Sequence, residues 1–265
     1  MEIVISNKAK FNAFSNIFRY LPVFMDTVNI FIKETGIYMQ GMDTAQVALA
    51  ELKIENNWFN KYETDKDYVL GIHCATFYKV IQCIEDTEQK MTLTYDDGDN
   101  LKIAIESDEK TLVNKYFELP LIDIDSEVLE IPDTDYDIDM EISSNSITNY
   151  TNQLMIFDDE FTITCTQENI YMKSKSESGS LKIEMSEDSI LLYAIDDELE
   201  KLELNFSLTY VKNICAFSKI TQSVVINIKE NTPMRFHQSL DEDEVEIFSD
   251  SKNYIRFYIA PKIDD

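Results

Sequence analysis

The chain is predicted to be α+β, built from two topologically similar modules of antiparallel sheet with two helices each. Three observations predict this. An internal repeat runs at one fixed shift, most apolar residues fall at strand period, and two stretches per copy change to helical period. The repeat shows first as "ETGIYMQ" at 34–40 against "QENIYMK" at 167–173, a shift of 133 residues from Ile37 to Ile170. The same shift lays Phe14, Ile17 and Leu21 on Ile147, Tyr150 and Leu154. It lays Phe77, Tyr78, Lys79 and Ile81 on Tyr210, Val211, Lys212 and Ile214, and "MTLTYDD" (91–97) on "VVINIKE" (224–230). One register serving several separated segments defines two copies. We place them at 1–118 and 137–265, joined by 119–136.

Each copy has the same order of elements. A strand opens it, EIVI (2–5) or YDIDMEI (136–142). An amphipathic helix follows, apolar at Phe14, Ile17 and Leu21 or at Ile147, Tyr150 and Leu154. Alternating strands come next: VNIFIK, GIYMQ and VALAELKI, matched by FTITCT, NIYMK and SLKIEM. A second helix, at 74–84 or 207–217, precedes the last strands. Strand-rich modules of this kind put their helices on one face of antiparallel sheets.

The joining segment "LPLIDIDSEVLEIPDTDY" (119–136) is read as extended and acidic, bounded by Pro120 and Pro132, which discourage helix. Its apolar residues Leu121, Ile122, Ile124, Val128, Leu129 and Ile131 have two readings. They belong either to an edge strand packed on the core or to a contact surface.

Formal charge is −27, from 50 acidic and 23 basic residues, yet 44% hydrophobic content supports a folded core. Cys74, Cys83, Cys165 and Cys215 form no CxxC pair, and His73 and His237 add no ligand spacing, so buried reduced thiols are expected and no metal. The N-terminus lacks the apolar run of a signal peptide, and no segment has the roughly 18 apolar residues of a membrane helix. A soluble intracellular chain without membrane association is expected. The abundance of Ile, Asn, Lys and Asp with only five glycines suggests an AT-rich genome, as in a large DNA virus or a protist.

The acid is unevenly distributed. Residues 7–21, 74–84, 143–156 and 205–228 contain no Asp or Glu in 64 positions, where simple proportion gives about twelve. Their polar positions are Lys, Arg, Asn and Gln instead. A buried face explains missing acids on the apolar side of a helix, but not on its polar side. Such neutral to mildly basic helices on an acidic body suit a polyanion, because like charge acts over a Debye length of about 8 Å.

In "GIYMQGMDTAQVALAEL", "VLEIPDTDY", "GSLKIEM" (179–185) and "YIAPKIDD" the chain resembles the eukaryotic-type DNA sliding clamp, the proliferating cell nuclear antigen family, over nearly its whole length. Gln40-x-Met42-Asp43 and Ala260-Pro261-Lys262-Ile263 are the most diagnostic stretches. The resemblance implies two clamp domains per chain and a homotrimeric ring, helices lining the hole and sheet outside. That ring encircles double-stranded DNA without regard to sequence and acts as a polymerase processivity factor in replication and repair. It implies no enzymatic activity and no cofactor. The implied partners are a replicative DNA polymerase, a clamp loader, and flap endonuclease and DNA ligase-type proteins carrying short peptide motifs. The nucleus or a viral replication factory is the location expected from the AT-rich composition.

Carried over by position, Lys8, Lys10, Arg19, Lys79, Lys212 and Lys219 are the DNA-facing residues. Asn12, Ala13, Asn149 and Asn152 stand where the family favours basic residues, which implies a weaker grip. The subunit interface would pair an edge strand at about Thr111–Glu118 (Thr111, Val113, Lys115, Phe117) with Gly179–Met185 (Gly179, Leu181, Ile183, Met185). The partner-peptide pocket would comprise Met42, Gln46, Val47, Leu49, Leu129, Ile131, Pro132, Pro233, Tyr258, Ala260 and Pro261. It would take a glutamine, an aliphatic residue and two aromatics. Gln46 and Glu130 depart from the family's histidine and glycine.

No phosphate loop, GxSxG or His-Cys-carboxylate spacing argues for catalysis. The acid pairs Asp96-Asp97, Asp158-Asp159 and Asp196-Asp197 fall at expected turns, where solvated acids compete with a divalent-ion reading. Two rivals remain: a subunit of a checkpoint-type heterotrimeric clamp, or a monomeric, non-ring processivity factor. An acidic mimic of DNA would lack the acid-free segments.

Overall fold

The computed structural model describes residues 1–85, 89–109, 111–241 and 251–262. The first module runs β1 (Glu2–Ile5), α1 (Lys8–Tyr20), β2 (Thr27–Lys33), β3 (Gly36–Met42), β4 (Ala48–Glu55), β5 (Lys61–Glu63), β6 (Tyr68–His73), α2 (Cys74–Ile81), β7 (Lys90–Thr94), β8 (Asn100–Glu106) and β9 (Lys115–Pro120). The second runs β10 (Ile138–Ser143), α3 (Ser144–Leu154), β11 (Glu160–Thr166), β12 (Asn169–Ser176), β13 (Gly179–Ser186), β14 (Leu192–Ile195), β15 (Lys201–Ser207), α4 (Leu208–Cys215), β16 (Ser223–Ile228), β17 (Met234–Ser239) and β18 (Tyr254–Ile259).

In the first module the strands neighbour one another in the orders β5-β1-β7-β8-β9 and β4-β3-β2-β6. In the second the orders are β14-β10-β16-β17-β18 and β13-β12-β11-β15. Strand for strand, the second module reproduces the first. The shift of 133 read from sequence carries β2 onto the bounds of β11, and β3 and β7 onto β12 and β16 within a residue. Each ladder is antiparallel, as in Ile30↔Met39 of β2 and β3 and Ile163↔Met172 of β11 and β12.

By contacts the chain divides into two compact units. Unit 1 is Met1–Thr44, Ala50–Glu130 and Lys252–Ile255; unit 2 is Ala45–Leu49, Ile131–Ser251 and Arg256–Asp265. In unit 1, α1 packs on α2 through Phe14, Phe18 and Phe77, all buried, with the Phe18 and Phe77 rings edge-on at 4.6 Å. Three large aromatics account for much of this core, at about 1.5–3 kcal/mol of burial each. In unit 2, α3 packs on α4 through Ile147, Leu154, Val211 and Ile214. Thr151 is buried in α3, its hydroxyl donating to the Ile147 carbonyl at 2.8 Å and lying 3.8 Å from the Cys215 sulfur.

Several boundaries differ from expectation. The second helix ends at Ile81, and the acid-free run 205–228 is helical only between Leu208 and Lys219, its two ends lying in β15 and β16. The expected edge strand at 111–118 begins only at Lys115. Thr111 and Val113 lie before it, where the Leu112 amide closes a turn on the Glu109 carbonyl (3.1 Å) and the Asn114 side chain accepts from the Ser107 amide (3.0 Å). Those local bonds take the backbone out of the ladder.

Leu119 and Pro120 close β9, and 121–136 contains neither strand nor helix. Of the two readings of that segment, an edge strand is therefore excluded. It is nonetheless tied down within unit 1. The Leu121 amide donates to the Asp99 carbonyl and the Ile122 amide to that of Gly71, both at 2.9 Å. At Gly71 a Cβ would stand 2.1 Å from the Ile122 oxygen, so only glycine admits so close an approach.

Candidate functional site

The helices meet solvent with bases and amides. Asn7 caps α1, its side chain accepting from the Lys10 amide at 3.0 Å, which lets the helix start without an acid in its first turn. Lys8, Arg19 and Lys79 in unit 1 are exposed, as are Lys212 and Lys219 in unit 2. Among the described residues none of these five enters an ion pair. Arg19 lies 5.3 Å over the Tyr20 ring. Lys10 differs. It is half-buried, donates to the Trp58 carbonyl at 2.9 Å and sits 5.5 Å over the Trp58 ring, so its charge is partly spent on the protein. Asn12, Asn149 and Asn152 are exposed on the same helices.

β3 answers whether the passage around residue 40 is core or surface. At strand period, Ile37 and Met39 point into the core, while Tyr38, Gln40 and Met42 share the other face. Met42, at the end of that face, is 38% exposed, and Leu129 in the joining segment is 45% exposed. Between them in chemistry stands Gln40, buried to 8% exposure. Its Nε2 donates to the Leu129 carbonyl (3.0 Å) and its Oε1 accepts from the Leu129 amide (2.7 Å). The Asn29 side chain on β2 similarly donates to the Ile124 carbonyl and the Ser126 hydroxyl, each at 2.9 Å. Sequence reading gave no role to Asn29 or Gln40 here. Two amides reaching chain 89 to 97 residues away leave no periodic signal.

In unit 2, the Ala260 amide donates to the Val47 carbonyl at 3.0 Å, which brings the 45–49 turn and the C-terminal segment together. Gln46 is exposed in the left-handed region (φ 58°). Leu49 and Tyr258 are buried, Val47, Ile131, Ala260 and Pro261 half-buried, and Pro132 and Pro233 exposed. Ile263 of the diagnostic ending lies outside the described residues.

β9 and β13 each stand at the end of a strand order. On β13, Leu181 and Ile183 are half-buried and alternate with exposed Lys182 and Glu184, while Met185 is core; Gly179 opens the strand (φ 150°) against the Phe157 ring. Just past α3, Ile156 is 71% exposed, a feature that helix periodicity did not flag. On β9, Lys115 and Phe117 are half-buried and Tyr116 is 69% exposed; Val113, just before it, is 67% exposed.

The acid pairs make local bonds. Lys102 and Lys66 hold Asp96 and Asp97 at 2.7 Å each, and the Lys102 bond holds the Asp96 carboxyl below its usual range. Asp158 and Asp196 accept amides of their own turns, from Asp159 and Glu198 at 2.8 Å. Burial pushes the Cys74 and Cys165 thiols up to about 12, far from a thiolate's range.

Repeated sheet-and-helix modules, acid-free helices and end strands β9 and β13 are the features of a sliding clamp. Comparison with known proteins gives the family. The chain matches the model of the proliferating cell nuclear antigen N-terminal domain over residues 8–128 and that of its C-terminal domain over 130–262. It is 30% identical over 242 residues to proliferating cell nuclear antigen of Caenorhabditis elegans, covering 88% of this chain and 86% of that one. It is 27% identical over 241 residues to the probable DNA polymerase sliding clamp 2 of Paramecium bursaria Chlorella virus 1, covering 91% and 84%. The chain belongs to the proliferating cell nuclear antigen family: it is a DNA polymerase sliding clamp, not an enzyme.

Proposed function

We propose that three copies close into a homotrimeric ring around duplex DNA, with 1–118 and 137–265 as clamp domains and 119–136 as connector. The observation that carries this is the charge of the helices: exposed Lys8, Arg19, Lys79, Lys212 and Lys219, and no acid, on a chain of charge −27. Mobile contacts to phosphate suffice where topology prevents dissociation, so these residues need not be many. Lys10 contributes less, because Trp58 already engages it.

Ring closure pairs β9, with Lys115 and Phe117, against β13, with Leu181 and Ile183; Thr111, Val113, Gly179 and Met185 flank or support the joint. Pairing resolves the hazard that an exposed strand edge otherwise carries. Partners dock by short peptides on Met42, Gln46, Val47, Leu49, Leu129, Ile131, Pro132, Pro233, Tyr258, Ala260 and Pro261, which supply apolar surface and the backbone of a C-terminal segment. A replicative polymerase, a clamp loader, and flap endonuclease and ligase-type proteins fit this role, in a nucleus or a viral replication factory.

The test is mass in dilute solution followed by polymerase processivity on primed circular DNA. Three times 30.8 kDa with stimulation is expected. A monomer without stimulation defeats the ring, and a trimer formed only with other clamp chains indicates a heterotrimer.

A further inference from the structure

From its geometry we infer that Gln40 is a positioning residue for partner docking: its side-chain amide pairs with the Leu129 peptide and so sets where the Leu129 side chain stands. The inference rests on the docking surface proposed above. Every hydrogen-bonding group of the Gln40 amide is used. Oε1 accepts from the Leu129 amide, one Nε2 hydrogen goes to the Leu129 carbonyl, and the other goes to the Tyr38 hydroxyl at 3.0 Å. The Tyr38 hydroxyl in turn donates to Glu51 Oε1 at 3.2 Å, and Tyr254 donates to the same oxygen at 3.4 Å. The single Tyr38 hydroxyl hydrogen goes to Glu51, which leaves the Tyr38 oxygen to accept from Gln40.

That chain of donors fixes which end of the Gln40 amide faces which partner. With Nε2 committed to Tyr38, only one orientation leaves both an acceptor and a donor for Leu129. A side chain thereby does what a neighbouring strand does in a ladder, at the one point where the joining segment presents two exposed aliphatic residues, Val128 and Leu129. Neighbouring carboxylates Glu127 and Glu130 are exposed and pull that segment toward water. Holding Leu129 in place before a partner arrives removes an ordering cost from binding.

The experiment uses the full chain and a labelled synthetic peptide with one glutamine, one aliphatic residue and two adjacent aromatics. Two readouts are taken: hydrogen exchange at the Leu129 amide, and peptide Kd. Q40L keeps the volume and removes both bonds. Exchange at Leu129 should rise at least tenfold and the peptide should bind about tenfold more weakly, with the oligomeric mass unchanged. Faster exchange with wild-type affinity overturns the positioning role and leaves docking intact. Unchanged exchange overturns the pairing itself. Met42→Ala and Leu129→Ala read the docking surface separately. If both bind the peptide as wild type does, or wild type does not bind it, the docking reading fails and the positioning role with it. Should Q40L not fold, Q40M serves: its unbranched side chain removes the same bonds to Leu129, and the same two readouts decide the outcome.

Discussion

At the scale of single residues, burial decides which side chains hold the fold and which are free to act. Phe77 is fully buried against Phe14 and Phe18, so Phe77→Ala should cost about 3–5 kcal/mol, measured by urea unfolding. The cysteines give a second residue-scale outcome. Cys74, Cys165 and Cys215 are buried and their thiols are raised, whereas Cys83 is half-buried with its sulfur 3.3 Å from the Lys79 carbonyl. The thiolate is the reactive form, and raising a thiol's pKa keeps it protonated through neutral pH. Iodoacetamide at pH 8 should label one cysteine in the native chain and all four after denaturation; native labelling of Cys74 would contradict the burial argument. Sequence reading anticipated buried reduced thiols but had no means to separate Cys83 from the others.

At the scale of elements, repetition made the fold legible. Strand period and helix period recur at one shift, and β2 and β11 obey it residue for residue. The edge-strand boundary was misplaced because a side chain competes with the ladder there. Asn114 accepts from the Ser107 amide, so the edge strand starts at Lys115 instead of Thr111. The joining segment was legible as extended, acidic and apolar in part. Its fastening was not, because Asn29, Gln40 and Gly71 act through isolated contacts with residues distant in the chain. Gly71 supplies the test of that fastening. A methyl group there meets the Ile122 oxygen, so Gly71→Ala should displace the start of the segment and cost about 1–3 kcal/mol, with faster exchange at the Ile122 amide. Unaltered exchange at Ile122 would place the strain elsewhere. The edge strands carry a matching prediction: Leu181→Asp with Ile183→Asp puts two carboxylates on β13, and light scattering should give a mass near 30.8 kDa instead of three times that value.

At the scale of the whole molecule, the question is how a chain of charge −27 stays on a polyanion. Under the ring proposed above segregation of charge answers it, and that segregation is legible in the sequence itself as four acid-free runs. Which bases within them are available depends on the packing in three dimensions: Lys10 turns to Trp58, while Lys8, Arg19, Lys79, Lys212 and Lys219 remain exposed. Exposed Asn149 and Asn152 on α3, and Asn12 on α1, contribute no charge. Each phosphate neutralised by a base contributes about 0.9 to the slope of log affinity against log salt. Few bases therefore mean a shallow slope and a grip that fades at modest salt. K79Q with K212Q removes two bases from each chain of the proposed ring and should flatten the slope by up to about 5, whereas Lys10→Met should change it little. Asn149→Lys with Asn152→Lys should do the reverse, raising the salt concentration at which loaded clamps leave nicked circular DNA. A wild-type slope as steep as that of a strongly basic clamp, or no gain from the added lysines, would mean that the asparagines do not face the DNA.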